Sequence, residues 1–153
     1  SKLIIAAGTG FLGQVLVHHF KNKFEQIVIL TRGKSKNADG IKYVNWNAKT
    51  FSGWEKELEN ATVLINLAGK SVDCRYTKEN KKKILWSRID STKVLNKAVL
   101  NCQNPPRHWM NSSSTVLLLR SITFPNTRSF PRQPHWMCCF QLLMDLVLVN
   151  SVE

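Results

Sequence analysis

Short runs of β-branched and apolar residues alternate along this chain with longer stretches whose apolar positions recur every three or four residues. That is the pattern of a parallel sheet covered by crossover helices. Lys2 to Ala6, Gln26 to Leu30, Lys42 to Trp46 and Thr62 to Leu67 predict strands. Between the first two, Leu12, Val15, Leu16 and Phe20 repeat at helical spacing, which predicts a helix over Phe11 to Lys21 that packs these four side chains on the sheet. A shorter helix is expected from Trp54 to Asn60. A long one is expected from Thr77 to Asn101, with Ile84, Ile89, Val94, Leu95 and Ala98 as its apolar side. Pro105 and Pro106 end that helix and lead into a strand at His108 to Asn111, which opens onto Ser112-Ser113-Ser114. The expected fold class is α/β, a doubly wound parallel sheet with crossover helices.

After Thr115 the period is lost. Val116 to Leu119 fits a strand, Ser121 to Pro134 a loop, and Trp136 to Val149 an apolar run with no regular repeat. The C-terminal part is therefore read as truncated or irregular. The expected division is a dinucleotide-binding domain over 1–127 and a tail over 128–153, of the composition an altered reading frame yields.

Composition narrows the class. At 153 residues the chain fits one domain, and 43% hydrophobic against 21% charged residues place it among soluble globular proteins rather than disordered or fibrous ones. The first residues enter directly into a strand, with no basic leader or cleavage site, and Met137 to Val149 is too short and too interrupted to span a membrane. A cytoplasmic protein without membrane contact is the expectation. Cys74, Cys102, Cys138 and Cys139 lack zinc-ligand spacing and read as reduced thiols, so no metal site is expected. His18 and His19 fall on the first helix, one expected to face solvent and the other to pack.

The net charge of +12 raises the question of a nucleic-acid partner. Its one local cluster, Lys78, Lys81, Lys82 and Lys83, lies on the long helix without interleaved aromatics. A solvated helix face is the better reading, and nucleic acid the lesser one.

The chemistry lies in Ala7-Gly8-Thr9-Gly10-Phe11-Leu12-Gly13. Glycines between a first strand and a helix let the backbone approach a pyrophosphate, and the helix N-terminus supplies N–H donors and the positive end of its dipole. The spacing Gly8-x-Gly10-x-x-Gly13, in that strand-to-helix context, predicts a Rossmann-type dinucleotide site. The second strand runs into Thr31-Arg32-Gly33-Lys34, without the acidic residue that holds the ribose hydroxyls of NAD. Arg32 and Lys34 suit the 2′-phosphate of NADP instead. NADP is thus the expected cofactor, with NAD as the other candidate.

These marks, joined by Asn66-Leu67-Ala68-Gly69, Cys74-Arg75-Tyr76-Thr77, Ser87-Arg88-Ile89 with Thr92, and the serine run, resemble the extended short-chain dehydrogenase/reductase superfamily in its atypical NAD-dependent epimerase/dehydratase branch. The resemblance covers about residues 1 to 114 and is fainter near 122 to 127. It implies a chain about twice this length that acts by hydride transfer on a small carbonyl or sugar-nucleotide substrate, with a homodimer as one arrangement. Gly10 and Gly13 match two of the superfamily's turn glycines, and Ala7 stands where the first belongs. Asn66 to Gly69, including Leu67 and Ala68, would lie under the nicotinamide ribose, and Asn47 stands where the branch often has an Asp near the adenine. Ser114 or its neighbour Ser113 matches the catalytic serine. The catalytic Tyr with a Lys four residues on has no counterpart: Tyr43 falls in a strand, and Tyr76 is followed at that distance by Asn80. A non-catalytic dinucleotide-binding module is therefore the alternative to an enzyme.

Overall fold

The computed structural model describes residues 1–112, and Ser1–Asn111 form one compact unit. Its elements follow in the order β1 (Lys2–Ala6), α1 (Phe11–Phe20), β2 (Gln26–Thr31), β3 (Lys36–Ala38), β4 (Ile41–Asn45), a 3₁₀ turn (Trp54–Leu58), β5 (Val63–Asn66), α2 (Lys78–Leu100) and β6 (His108–Asn111). They build a six-stranded sheet in the order β3-β4-β2-β1-β5-β6. All neighbours pair parallel except β3 with β4.

Residues of alternating parity leave opposite faces of a strand. Ile4, Ala6, Val28, Leu30 and Leu64 meet Trp46, Trp54, Leu58 and the α2 residues Val94, Leu95 and Ala98 in one cluster. The indoles of Trp46 and Trp54 meet edge to face at 5.4 Å. Ile5 and Ile29 turn to the other face, where both would crowd a β-carbon placed on Gly8. Four of the five residues of β1 and five of the six of β2 are buried, which is why these strands read as continuous apolar runs rather than as alternating ones.

Several expectations are corrected. The face that α1 buries consists of Gly13, Leu16 and Val17, while Leu12, Val15 and Phe20 are half-buried. The helix is rotated towards Gly13 because its first turn must press against the preceding loop. His18 and His19 are both exposed, and His19 is hydrogen-bonded through Nε2 to Lys23 Nζ at 2.9 Å. On α2, Ile89 is half-buried and Ser91 takes the buried place, its hydroxyl donating to the Arg88 carbonyl at 3.0 Å. The segment after Gly53 forms a 3₁₀ turn rather than an α-helix and stops at Leu58. Glu59 leaves helical geometry, and its carboxylate accepts from the N–H groups of Gln103 and Asn104.

Strand β3 was not anticipated. Asp39 and Gly40 both have positive φ, 54° and 76°, and form the two-residue loop of a hairpin that pairs Ala38 with Ile41. The dipeptide Asp-Gly was the signal that would have found it. The hairpin starts β4 at Ile41 rather than Lys42 and frees Trp46 to turn into the core. The expected strand and loop after Thr115, the apolar run, Cys138, Cys139 and the boundary at 127 lie outside the described residues.

Candidate dinucleotide-binding site

Because β1, β2, β4, β5 and β6 run parallel, Ala6, Thr31, Asn45, Asn66 and Asn111 end on the same edge of the sheet. The chain winds from β1 outward through β2 and β4 on one side and through β5 and β6 on the other, so the switch point falls between β1 and β5. A crevice outside the carboxyl ends of the strands at that point is where doubly wound sheets take ligands.

The loop from Ala7 to Gly10 borders this crevice. Ala7 donates its N–H to the Leu30 carbonyl at 2.8 Å and adopts φ +60°, the left-handed conformation that glycine takes without penalty. Its methyl thus leaves the chain path of the turn in place and adds local strain of about 1–2 kcal/mol. Gly8 is buried, and a β-carbon there would come 2.8 Å from Ile5 Cγ2. Gly13 is the most constrained, since a β-carbon on it would meet the Gly8 carbonyl oxygen at 2.1 Å. Gly10 differs from both: it is exposed, and a β-carbon there would meet nothing within 4 Å. The space above it is open to a ligand.

Gly10 is also the N-cap of α1, and no side chain caps the helix. Its carbonyl accepts from Gln14 N at 3.0 Å, so the helix starts there. Thr9 and Phe11 are exposed beside it, and Leu12 is half-buried. A pyrophosphate needs an open helix N-terminus and a backbone it can approach closely, and these residues fit such a group.

Thr31 is buried at the end of β2, and its hydroxyl accepts from Gly33 N at 3.1 Å, which turns the chain outward. Asn45 Nδ2 donates to the carbonyls of Arg32 and Gly33 at 3.3 and 2.7 Å, fixing the backbone that carries Arg32. The Arg32 side chain is exposed and makes no ion pair among the described residues. Asn47 is exposed, and its polar atoms serve its own turn. Oδ1 accepts from Lys49 N and Thr50 N at 2.8 and 2.9 Å, and Nδ2 donates to Thr50 Oγ1 at 2.6 Å.

The opposite wall, after β5, is held by residues that the spacing on α2 had marked. Asn66 is buried; its Nδ2 donates to Asn111 Oδ1 at 2.9 Å and to Thr92 Oγ1 at 3.4 Å, and its Oδ1 accepts from Ala68 N at 3.0 Å. One side chain thus joins the end of β5, the end of β6 and α2. Leu67 N donates to the Ala6 carbonyl at 3.0 Å, tying this wall to β1. Lys70 N donates to Ser87 Oγ at 2.8 Å, and Arg88 Nη1 donates to the carbonyls of Lys70 and Ile84 at 3.3 and 3.1 Å. The guanidinium lies so close over Gly69 that a β-carbon there would meet Cζ at 3.1 Å. Asn45, which holds the carbonyls of Arg32 and Gly33, and Asn111, which accepts from Asn66, are residues of the candidate site that sequence reasoning missed, because neither contact has a signature in the local sequence.

Tyr43 is half-buried under the Lys36 ammonium, which stands 5.1 Å from its ring centre, and Tyr76 is exposed. The lysines at 78, 81, 82 and 83 are exposed on α2, and Lys83 pairs with Glu79 at 2.5 Å. Ser113 and Ser114 lie outside the described residues. Among the described residues no helix is long and apolar enough to cross a membrane, and no group of His, Cys, Asp and Glu could hold a metal ion.

The sheet order and the glycine turn at its switch point together define a Rossmann-type fold. Residues 3–128 match the model of the NAD dependent epimerase/dehydratase family, and the chain belongs to that family. It is 36% identical over 146 residues to an epimerase family protein of Staphylococcus aureus, covering 94% of this chain and 46% of that protein. A counterpart in Staphylococcus haemolyticus is 32% identical over 147 residues, with 95% and 46% covered. This chain therefore spans about half the length of these relatives. Among solved structures, the human epimerase family protein SDR39U1 (isoform 2), determined with NADPH, superposes with a TM-score of 0.60 at 22% identity, over 76% of this chain and 37% of that one. Uronate dehydrogenase from Agrobacterium tumefaciens superposes with a TM-score of 0.61 at 15% identity, over 99% and 57%. Both share the fold.

Proposed function

We propose that this chain binds NADP(H), with residues 1–127 as the binding domain, and that it is the dinucleotide-holding part of a cytoplasmic reductase or epimerase acting on a small carbonyl or sugar-nucleotide substrate. The observation that carries the reading is the open position over Gly10 at an uncapped helix N-terminus. The backbone from Gly8 to Gly13 would receive the pyrophosphate, and Leu67 to Gly69 the nicotinamide half. Arg32 would grip the 2′-phosphate, being a cation at the end of β2 with no acidic neighbour to neutralise it among the described residues. The bound cofactor supplies hydride transfer. Ser114 or Ser113 would hold the substrate carbonyl by a hydrogen bond.

One observation favours a second reading, binding without turnover. The chain has two tyrosines, and neither Tyr43 nor Tyr76 is followed four residues later by a lysine. The proton-transfer pair of the superfamily is not in this sequence.

Thermal unfolding with NADPH, with NADH and with neither tests both readings. A ligand at about a hundred times its Kd adds roughly 2.7 kcal/mol of stability. A larger shift with NADPH supports the proposal, and no shift with either overturns it. NADPH consumption with aldehydes, ketones and sugar nucleotides as substrates then separates an enzyme from a binding module.

A further inference from the structure

Strand β4 lies between β3 and β2 in the sheet, so the segment that leaves β2 at Thr31 and enters β3 at Lys36 has to cross the carboxyl end of β4. Arg32, Gly33, Lys34 and Ser35 make this short arch, and Asn45 is the last residue of the strand it crosses. Asn45 Nδ2 donates to the carbonyls of Arg32 and Gly33 at one end of the arch, at 3.3 and 2.7 Å. Its backbone N–H donates to Ser35 Oγ at the other end, at 2.9 Å. One residue thus holds both ends.

The anchor is itself fixed. Asn45 is paired in register with Thr31, and the next residue, Trp46, is buried in the core and donates its N–H to the Thr31 carbonyl at 2.8 Å. What the anchor holds is cationic: Arg32, Lys34 and Lys36 are exposed, and none of them makes an ion pair among the described residues. An exposed ion pair on an unheld loop strengthens binding by a factor of about five at most, because ordering a long side chain offsets most of the Coulomb gain. A guanidinium whose backbone is already in place loses less freedom when it grips a phosphate, and its contribution rises accordingly.

We infer that Asn45 is a positioning residue for cofactor choice: by pinning the arch it places Arg32 for the 2′-phosphate, and so sets how far NADPH is preferred over NADH. It acts through Arg32 and not as a ligand of the phosphate. The amide is required for this, since an aspartate of the same shape has no N–H to give to the two carbonyls. The inference rests on the proposal that the chain binds NADP(H), which is what makes Arg32 the phosphate ligand.

The test is fluorescence titration of the chain with NADPH and with NADH. Asn45→Ala should lower NADPH affinity about fivefold or more and leave NADH affinity within twofold, so that the ratio of the two falls. On an Arg32→Gln background the same substitution should leave NADPH affinity within twofold, because the residue it acts through is gone. Ser35→Ala, at an exposed position that frees the far end of the arch, carries the same test at a smaller factor, about threefold, should Asn45→Ala fail to fold. Equal losses for both cofactors overturn the inference, since they would make Asn45 a support of the sheet edge alone. A loss as large on the Arg32→Gln background overturns it as well. A natural chain that binds NADPH no more tightly than NADH overturns the NADP(H) reading and this inference with it, whereas a preference for NADPH that survives Asn45→Ala overturns this inference alone.

Discussion

Gly13 and Gly8 stand so close that a β-carbon on the first would lie 2.1 Å from the carbonyl oxygen of the second. The contact is with backbone, which no rotamer change relieves, and it sets the entry of α1 against the end of β1. Glycine at position 13 is thus demanded by the packing of the turn itself, whereas a β-carbon at Gly10 would meet nothing.

Gly13→Ala should therefore destabilise the chain by about 3 kcal/mol or more, at the top of the range for overpacked sites. Gly10→Ala should leave stability nearly unchanged, because the β-carbon meets nothing, and should lower NADPH affinity tenfold or more. Urea unfolding and NADPH titration of the two variants measure this. Equal stability losses at both positions would contradict the geometry.

Ala7 carries the opposite expectation. Its φ of +60° costs an L-residue energy that glycine does not spend, against a smaller entropic loss from the more flexible unfolded chain. Ala7→Gly should raise stability by about 0.5–1 kcal/mol. A lower midpoint in thermal unfolding would show that the methyl contributes packing instead.

Arg32→Glu should reduce NADPH affinity markedly and leave NADH affinity almost unchanged, since the two cofactors differ only at the 2′-phosphate. Stability should stay within about 0.5 kcal/mol, as for other exposed positions without structural contacts. Parallel titrations with both cofactors decide the matter, and equal losses would remove Arg32 from the phosphate site.

Asn66→Leu should cost about 1–3 kcal/mol, because it leaves Ala68 N and Asn111 Oδ1 without their buried partner. Its effect should be greater than that of Thr92→Val, which removes only the longest of the contacts, at 3.4 Å. Denaturant midpoints of both variants give the comparison.

Burial pushes the Cys102 thiol above the ordinary thiol range, with the neighbouring Glu59 carboxylate adding to the effect. A proton held more tightly in the folded chain than in the unfolded one contributes stability that is complete below the unfolded pKa and is lost as pH rises through the folded one. Stability should therefore decline on the alkaline side, and Cys102→Ser should flatten that decline. Iodoacetamide should alkylate Cys102 far more slowly in the folded chain than in urea, as mass spectrometry of the peptide would record.

The sequence by itself determined the sheet of parallel strands, the two crossover helices and the glycine turn. Each of these rests on local rules: apolar runs for strands buried on both faces, apolar spacing for helices, and glycine where a side chain cannot fit. Thr77 illustrates the reach of such rules, since it stands one residue before α2 and its hydroxyl accepts from Asn80 N at 3.1 Å, as a helix cap should.

Only the tertiary structure decided which side chains meet. Asn45 supports the backbone of Arg32 from twelve or more residues away, Asn66 reaches Asn111 across 45, and Arg88 covers Gly69 from another element. Such contacts depend on strand order and on the rotation of α2 about its axis, neither of which is encoded in a local period. The same cause explains why Val17 and Gly13, rather than Val15 and Phe20, face inward on α1. Helical spacing fixes which residues share a stripe, but the loop that the helix must press against selects the stripe that is buried.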